Sequence, residues 1–129
     1  MADRRLLSVE DVVRIHARVV ARDGGDPGIR DIGLLESAVA MPRQQVAGQF
    51  LHADVAAMAG AYLFHIAKNH PFVDGNKRTA FAAAVVFLLA NGARLESSVD
   101  EAATAVENVA SGAWSKDTIT EWMRSVMRA

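Results

Sequence analysis

The run Thr79–Ala90, TAFAAAVVFLLA, carries no charged side chain and is apolar around its whole circumference when read as a helix. A helix that is apolar on every side has to be covered on every side. The run is too short to span a bilayer, so it reads as the buried helix of a soluble core. The remaining chain must then supply the elements that wrap it. With 129 residues it is long enough to do so as one domain, residues 1–129.

The flanking sequence supplies helices. Val9, Val12, Val13, His16 and Val20 fall on one face at helical spacing. Ser8 stands before them as an N-cap, with Asp11 at the third position of an imperfect capping box. RDGGDPGIRD breaks the pattern as a loop. Leu34 to Met41 reads as a short helix that Pro42 ends. Residues 43–52 show no clean period and read as irregular or extended. Val55, Met58, Ala59, Tyr62, Leu63 and Ile66 form another helix face. Asn91-Gly92 stops the buried helix. Ser98-x-x-Glu101 is a capping box for a helix carrying Val99, Ala102, Ala103, Val106 and Ala110. Ser115 caps a last helix with Ile119, Trp122, Met123 and Val126 inward. Strand signals are weak throughout. The fold class that follows is all-α, a compact helical bundle around a buried central helix.

Composition removes several classes of function. There is no cysteine, which excludes disulfides, thiolate catalysis and cysteine-held metal. The formal net charge is −1, so no bulk field recruits nucleic acid or membrane. MADRRLLSVED is charged and lacks a signal-like apolar stretch, which makes a cytoplasmic location the expectation. Function must sit in a local cluster.

That cluster is HPFVDGNKR, residues 70–78, directly before the apolar run. Pro71 ends the preceding helix, and Asp74-Gly75-Asn76 is strong turn chemistry. The chain then enters the next helix near Asn76 or Lys77. The first N–H groups of a helix lack partners at the positive end of its dipole, and such an end binds phosphate. Gly75 allows close backbone approach. Lys77 and Arg78 add cationic donors, Arg78 as a bidentate fork. Asp74 is a hard oxygen ligand, and one carboxylate plus substrate phosphates is the usual way to hold Mg²⁺. A histidine such as His70 can accept a proton near neutral pH. These are the parts of a nucleotide-dependent transfer to a hydroxyl. The same residues also make an ordinary helix–helix connection with solvated cations, and composition alone leaves both readings open.

The stretch from His70 to Arg78 resembles the signature of the Fic/death-on-curing family, H-P-F-x-[D/E]-G-N-[G/K]-R, at every specified position. IRDIGLLESAVAMP, AYLFHIAKNH and TAFAAAVVFLLANG resemble its death-on-curing branch, so the likeness runs from about Leu7 to Gly92. It implies an all-α fold with the motif on the loop entering the central helix. It implies that His70 is the general base for a target hydroxyl and that Asp74 holds Mg²⁺. Gly75, Asn76, Lys77 and Arg78 would bind the phosphates of ATP, while Phe72 anchors the loop in the core. Residues 43–52 would match the flap that aligns a target segment.

Two positions separate the chain from the adenylyl-transferring branch. Lys77 stands where those members have glycine, and Phe81 where they carry a second arginine. Both features are shared with the death-on-curing toxins, which resemble protein kinases in transferring the γ-phosphate. The resemblance implies a threonine of elongation factor Tu as target, and neutralisation by a small antitoxin of the prevent-host-death type. No direct nucleic-acid or membrane partner is implied. The alternatives are an adenylyltransferase of the same fold and a non-catalytic helical module that binds a protein. The inhibitory pattern [S/T]-x-x-x-E-[G/N] of many family members is approached only by Ser97–Ala102, which fails at its last position and is better explained as a helix cap. Inhibition by a partner is the expectation.

The remaining candidates read as structural. His65 and His16 are expected to be partly buried and hydrogen-bonded, and His52 to lie on the surface near the flap. Trp114, Trp122, Met123 and Met127 read as core or a partner groove. Arg4-Arg5 is too short a basic patch for nucleic acid. Arg30, Asp31 and Glu36 suggest a polar network without a catalytic role. No histidine or carboxylate spacing suggests zinc.

Overall fold

A computed structural model describes residues 4–129. Its α-helices are α1 (Val9–Asp23), α2 (Ile32–Ala40), α3 (Val55–Asn69), α4 (Asn76–Ala90), α5 (Val99–Ala110) and α6 (Lys116–Val126). A 3₁₀ turn, Met41–Arg43, follows α2. Two-residue strands β1 (Gln45–Val46) and β2 (Gln49–Phe50) form a hairpin, and β3 (Arg94–Leu95) pairs with β4 (Met127–Arg128). The all-α bundle expected from sequence is the architecture present.

Local chemistry explains most helix starts. Ser8 accepts from the Asp11 N–H while the Asp11 carboxylate accepts from the Ser8 N–H, so this capping box is complete. Asp31, Asp54 and Ser115 each accept from a main-chain N–H three residues on. Ser98 accepts from Glu101 N–H, but the reciprocal bond is missing; only half of that expected box exists. Helix α2 starts at Ile32, earlier than its apolar pattern suggests, because Asp31 caps it. Residues 43–52 contain the hairpin, turned by Ala47 and Gly48 at φ 52° and 78°.

Helix α3 packs against α2, α4, α5 and α6. Its face of alanines and Gly60 lets neighbours approach: a Cβ on Gly60 would lie 2.5 Å from Thr120 Oγ1. Tyr62, Phe72, Phe87, Leu35 and Met58 fill the surrounding core. Helix α4 corrects the expectation of all-round burial. Thr79, Ala80, Ala83, Ala84, Phe87 and Leu88 are buried, yet Val86 and Leu89 are 39% and 60% exposed. Helices α1, α3 and α5 and strand β3 pack on part of its circumference and leave Val86 and Leu89 open.

Candidate active site

The loop between α3 and α4 is built around buried side chains. Helix α3 ends at Asn69, and His70 turns left-handed at φ 53° and ψ 53°. Phe72 is fully buried, as expected of an anchor. The Asn76 side chain accepts from Phe72 N–H at 2.9 Å and donates to Phe72 O at 2.8 Å. This pair closes the loop and turns both the oxygen and the nitrogen of the Asn76 amide toward Phe72. His16 stacks on Phe72 with ring centroids 3.7 Å apart and planes 5° apart. Its Nε2 lies 2.8 Å from Asp74 O, and because a carbonyl can only accept, Nε2 carries the proton. His16 is therefore buried and hydrogen-bonded as expected, and it holds the loop from beneath.

The upper surface of the loop is open. Gly75 is left-handed at φ 76°, and α4 begins without a side-chain cap. Its first-turn N–H groups face outward, as helix geometry requires. Asp74 is exposed, and one carboxylate oxygen accepts from Gly75 N–H at 2.8 Å. The other faces Gly25, where a Cβ would lie only 2.7 Å away. A cavity of about 240 Å³ is lined by His70, Val73, Asp74, Gly75, Asn76, Lys77 and Arg78. All six residues expected at the site thus border one space.

The two cations there are already engaged. Lys77 Nζ lies 2.6 Å from Glu107 on α5. Arg78 lies 3.6 Å from Asp23, which also pairs with Arg22 at 3.0 Å. Beside the loop, Phe81, Val85, Val86, Val99 and Val106 form the walls of an apolar groove of about 630 Å³ between α4 and α5, with Arg22, Lys77 and Arg78 at one end. Phe81 points an apolar ring into this groove.

A second polar cluster lies at the base of the hairpin. Lys116 Nζ is 3.1 Å from His52 Nε2 and 3.2 Å from His65 Nε2. An ammonium can only donate, so both Nε2 atoms are unprotonated. Burial, with the charge of Lys116 second, holds His52 below the usual histidine range. Burial first, then Lys116 and His52, pushes His65 down to about 4. His52 is only 7% exposed, which corrects the expectation of a surface histidine; its partner Lys116 lies sixty-four positions away, where an aperiodic segment gives no hint of it. His65 is hydrogen-bonded as expected.

Sequence reasoning missed Glu107 and Asp23 as partners of the loop cations. It placed Arg30 in a polar network with Asp31 and Glu36, whereas Arg30 bonds the carbonyls of Asn69 and His70 and Asp31 caps α2. His16, a polar residue on an apolar stripe, carried a readable signal. Among the described residues there is no cluster of three or more histidine, cysteine, aspartate or glutamate side chains that could hold a metal by itself.

An uncapped helix start, two cations, one exposed carboxylate and a histidine border a single cavity inside an all-α bundle. A family model described as "Fic/DOC family" matches residues 6–88. The protein "Toxin Doc" of Mycolicibacterium smegmatis is 47% identical over 77 residues, which cover 60% of this chain and 59% of that protein. The "Protein kinase doc" of Escherichia phage P1 is 32% identical over 120 residues, 93% of this chain and 94% of that protein. The chain belongs to the Fic/DOC family.

Proposed function

We propose that this chain is the toxin of a toxin–antitoxin pair and a Mg²⁺- and ATP-dependent protein kinase-like transferase of the cytoplasm. Its proposed acceptor is a threonine of elongation factor Tu, whose modification arrests translation. The observation that carries the reading is the single cavity bordered by His70, Asp74, the uncapped start of α4, Lys77 and Arg78. The names of the two relatives, a toxin and a protein kinase, support it.

Each residue has a task. His70 accepts the proton of the acceptor hydroxyl as its oxygen bonds to the γ-phosphorus. The bond from that phosphorus to the β–γ bridging oxygen breaks, and ADP leaves. The main-chain N–H groups at the start of α4, with Lys77 and Arg78, hold the phosphates. Asp74 suits Mg²⁺: it is exposed, glycine keeps its free edge open, and a lone carboxylate complemented by phosphates is a common Mg²⁺ donor set. When bound, that ion supplies charge neutralisation on the phosphates. Phe81 favours γ-phosphoryl over adenylyl transfer, since no cation stands at the position of the second arginine in adenylyl-transferring members. The β1–β2 hairpin, with Val46 64% and Leu51 57% exposed, is suited to align an acceptor segment. The open groove beside Lys77 and Arg78 offers the antitoxin an apolar face.

Controlled expression in a bacterial host tests the reading. The unaltered chain is expected to arrest growth, and His70→Ala at equal protein level is expected to leave growth intact. Equal arrest by both would contradict catalysis.

A further inference from the structure

We infer that Arg30 is a positioning residue that aims the imidazole of His70 by fixing the two peptide groups around it. The inference rests on the reading of His70 as the base. His70 is exposed, and among the described residues its imidazole has no hydrogen-bond partner. Its backbone therefore fixes where the Cα–Cβ bond points, and no hydrogen bond to the ring adds to that. That backbone is left-handed at φ 53°, a region non-glycine residues keep only when their surroundings impose it.

The imposing contacts come from the segment between α1 and α2. Arg30 Nε donates to His70 O at 2.7 Å, and Nη2 donates to Asn69 O at 2.9 Å. The main-chain N–H groups of Arg30 and Asp31 donate to Pro71 O at 2.8 and 3.0 Å. Val73 N–H donates to Gly28 O at 3.0 Å. The main-chain bonds would survive any side chain at position 30. The guanidinium fork would not, and it alone ties down the carbonyls on either side of the His70 Cα. The site is well chosen for a cation, because α3 ends there with its carbonyls unpaired and its dipole negative. Lysine carries the charge but presents its donors from one atom, without the planar fork that holds two carbonyls at a fixed spacing. Arg30 lies outside the cavity lining and touches no reacting group, so its effect runs through His70.

The test compares the full chain with Arg30→Gln and Arg30→Lys. Backbone chemical shifts of His70 report its left-handed conformation, thermal melting reports folding, and the dose of inducer giving half-maximal growth arrest, at matched protein level, reports activity. Arg30→Gln is expected to move the His70 shifts out of the left-handed range and to need about tenfold more inducer, a misplacement effect. Its melting temperature should fall by less than ~4 °C, since the lost bonds are exposed. Arg30→Lys should lie between. Should Arg30→Gln fail to fold, the His70 shifts in Arg30→Lys decide. Unchanged His70 shifts, or full potency in either variant, would overturn the inference. An unaltered chain that does not arrest growth would count against the transfer reading alone, while the His70 shifts would still decide whether Arg30 holds the residue.

Discussion

Lys77 and Arg78 occupy the first turn of α4, where a cation is mildly unfavourable to the helix itself. Glu107 and Asp23 offset that, at 2.6 and 3.6 Å. The Lys77–Glu107 pair is exposed on both sides, so it adds little to stability, about 0–1 kcal/mol. On the proposed function, the Glu107 carboxylate stands in weakly for a phosphate at Lys77 and is easily displaced. Glu107→Gln should therefore strengthen ATP binding about two- to fivefold while changing stability by less than about 0.5 kcal/mol. Nucleotide titration and urea unfolding check this; weaker ATP binding would mean that Glu107 steers Lys77 toward the ligand. The candidate site could be assembled from sequence because its six residues fall within one short stretch, His70 to Arg78, and each type has a recognisable task. Glu107 could not, for it lies thirty positions from Lys77 and only the fold brings them together. His16, fifty-eight positions from Asp74, was visible only as a polar residue on an apolar face.

At the scale of elements, Lys116 joins α6 to His65 on α3 and to His52 after the hairpin. Both histidines are held below their ordinary value of 6.5, His65 at about 4. In the unfolded chain they take up protons near pH 6.5, earlier than in the folded chain. Between about pH 6.5 and 4 the unfolded state then binds more protons, so stability is full above that window and falls as pH drops through it. With His52 buried and His65 half-buried beside a charged lysine, the loss should be about 1–2 kcal/mol. Urea unfolding across that range checks it, alongside titration of the His65 ring protons in the folded chain. A stability that rises on acidification would contradict the cluster. The carboxylates held below their usual range, Asp11, Asp23, Asp54 and Glu96, lose their contribution at lower pH and do not mask it. Helix starts with a serine cap were readable because capping depends on spacing within one turn. The paired two-residue strands were not, since strand pairing joins distant segments and leaves no periodicity in so short a run.

For the whole molecule, the all-α class was legible from helical periodicity, and so was the place of the loop before the apolar helix. Periodicity could not show that α3 would be the helix packed by four others, or that one strip of α4 would stay open; an apolar face looks the same in sequence whether a neighbour or a partner covers it. No helix among the described residues is long and apolar enough to cross a membrane. Among the described residues, the cavity at the loop lies beside the apolar groove, with Lys77 and Arg78 bordering both. The central claim is that this cavity moves the γ-phosphate to a protein hydroxyl. The most direct test is the intact mass of elongation factor Tu after incubation with the chain, ATP and Mg²⁺, with His70→Ala as control. A gain of one phosphate that the control lacks is the predicted result. A gain of one AMP, or no gain at all, would contradict the claim.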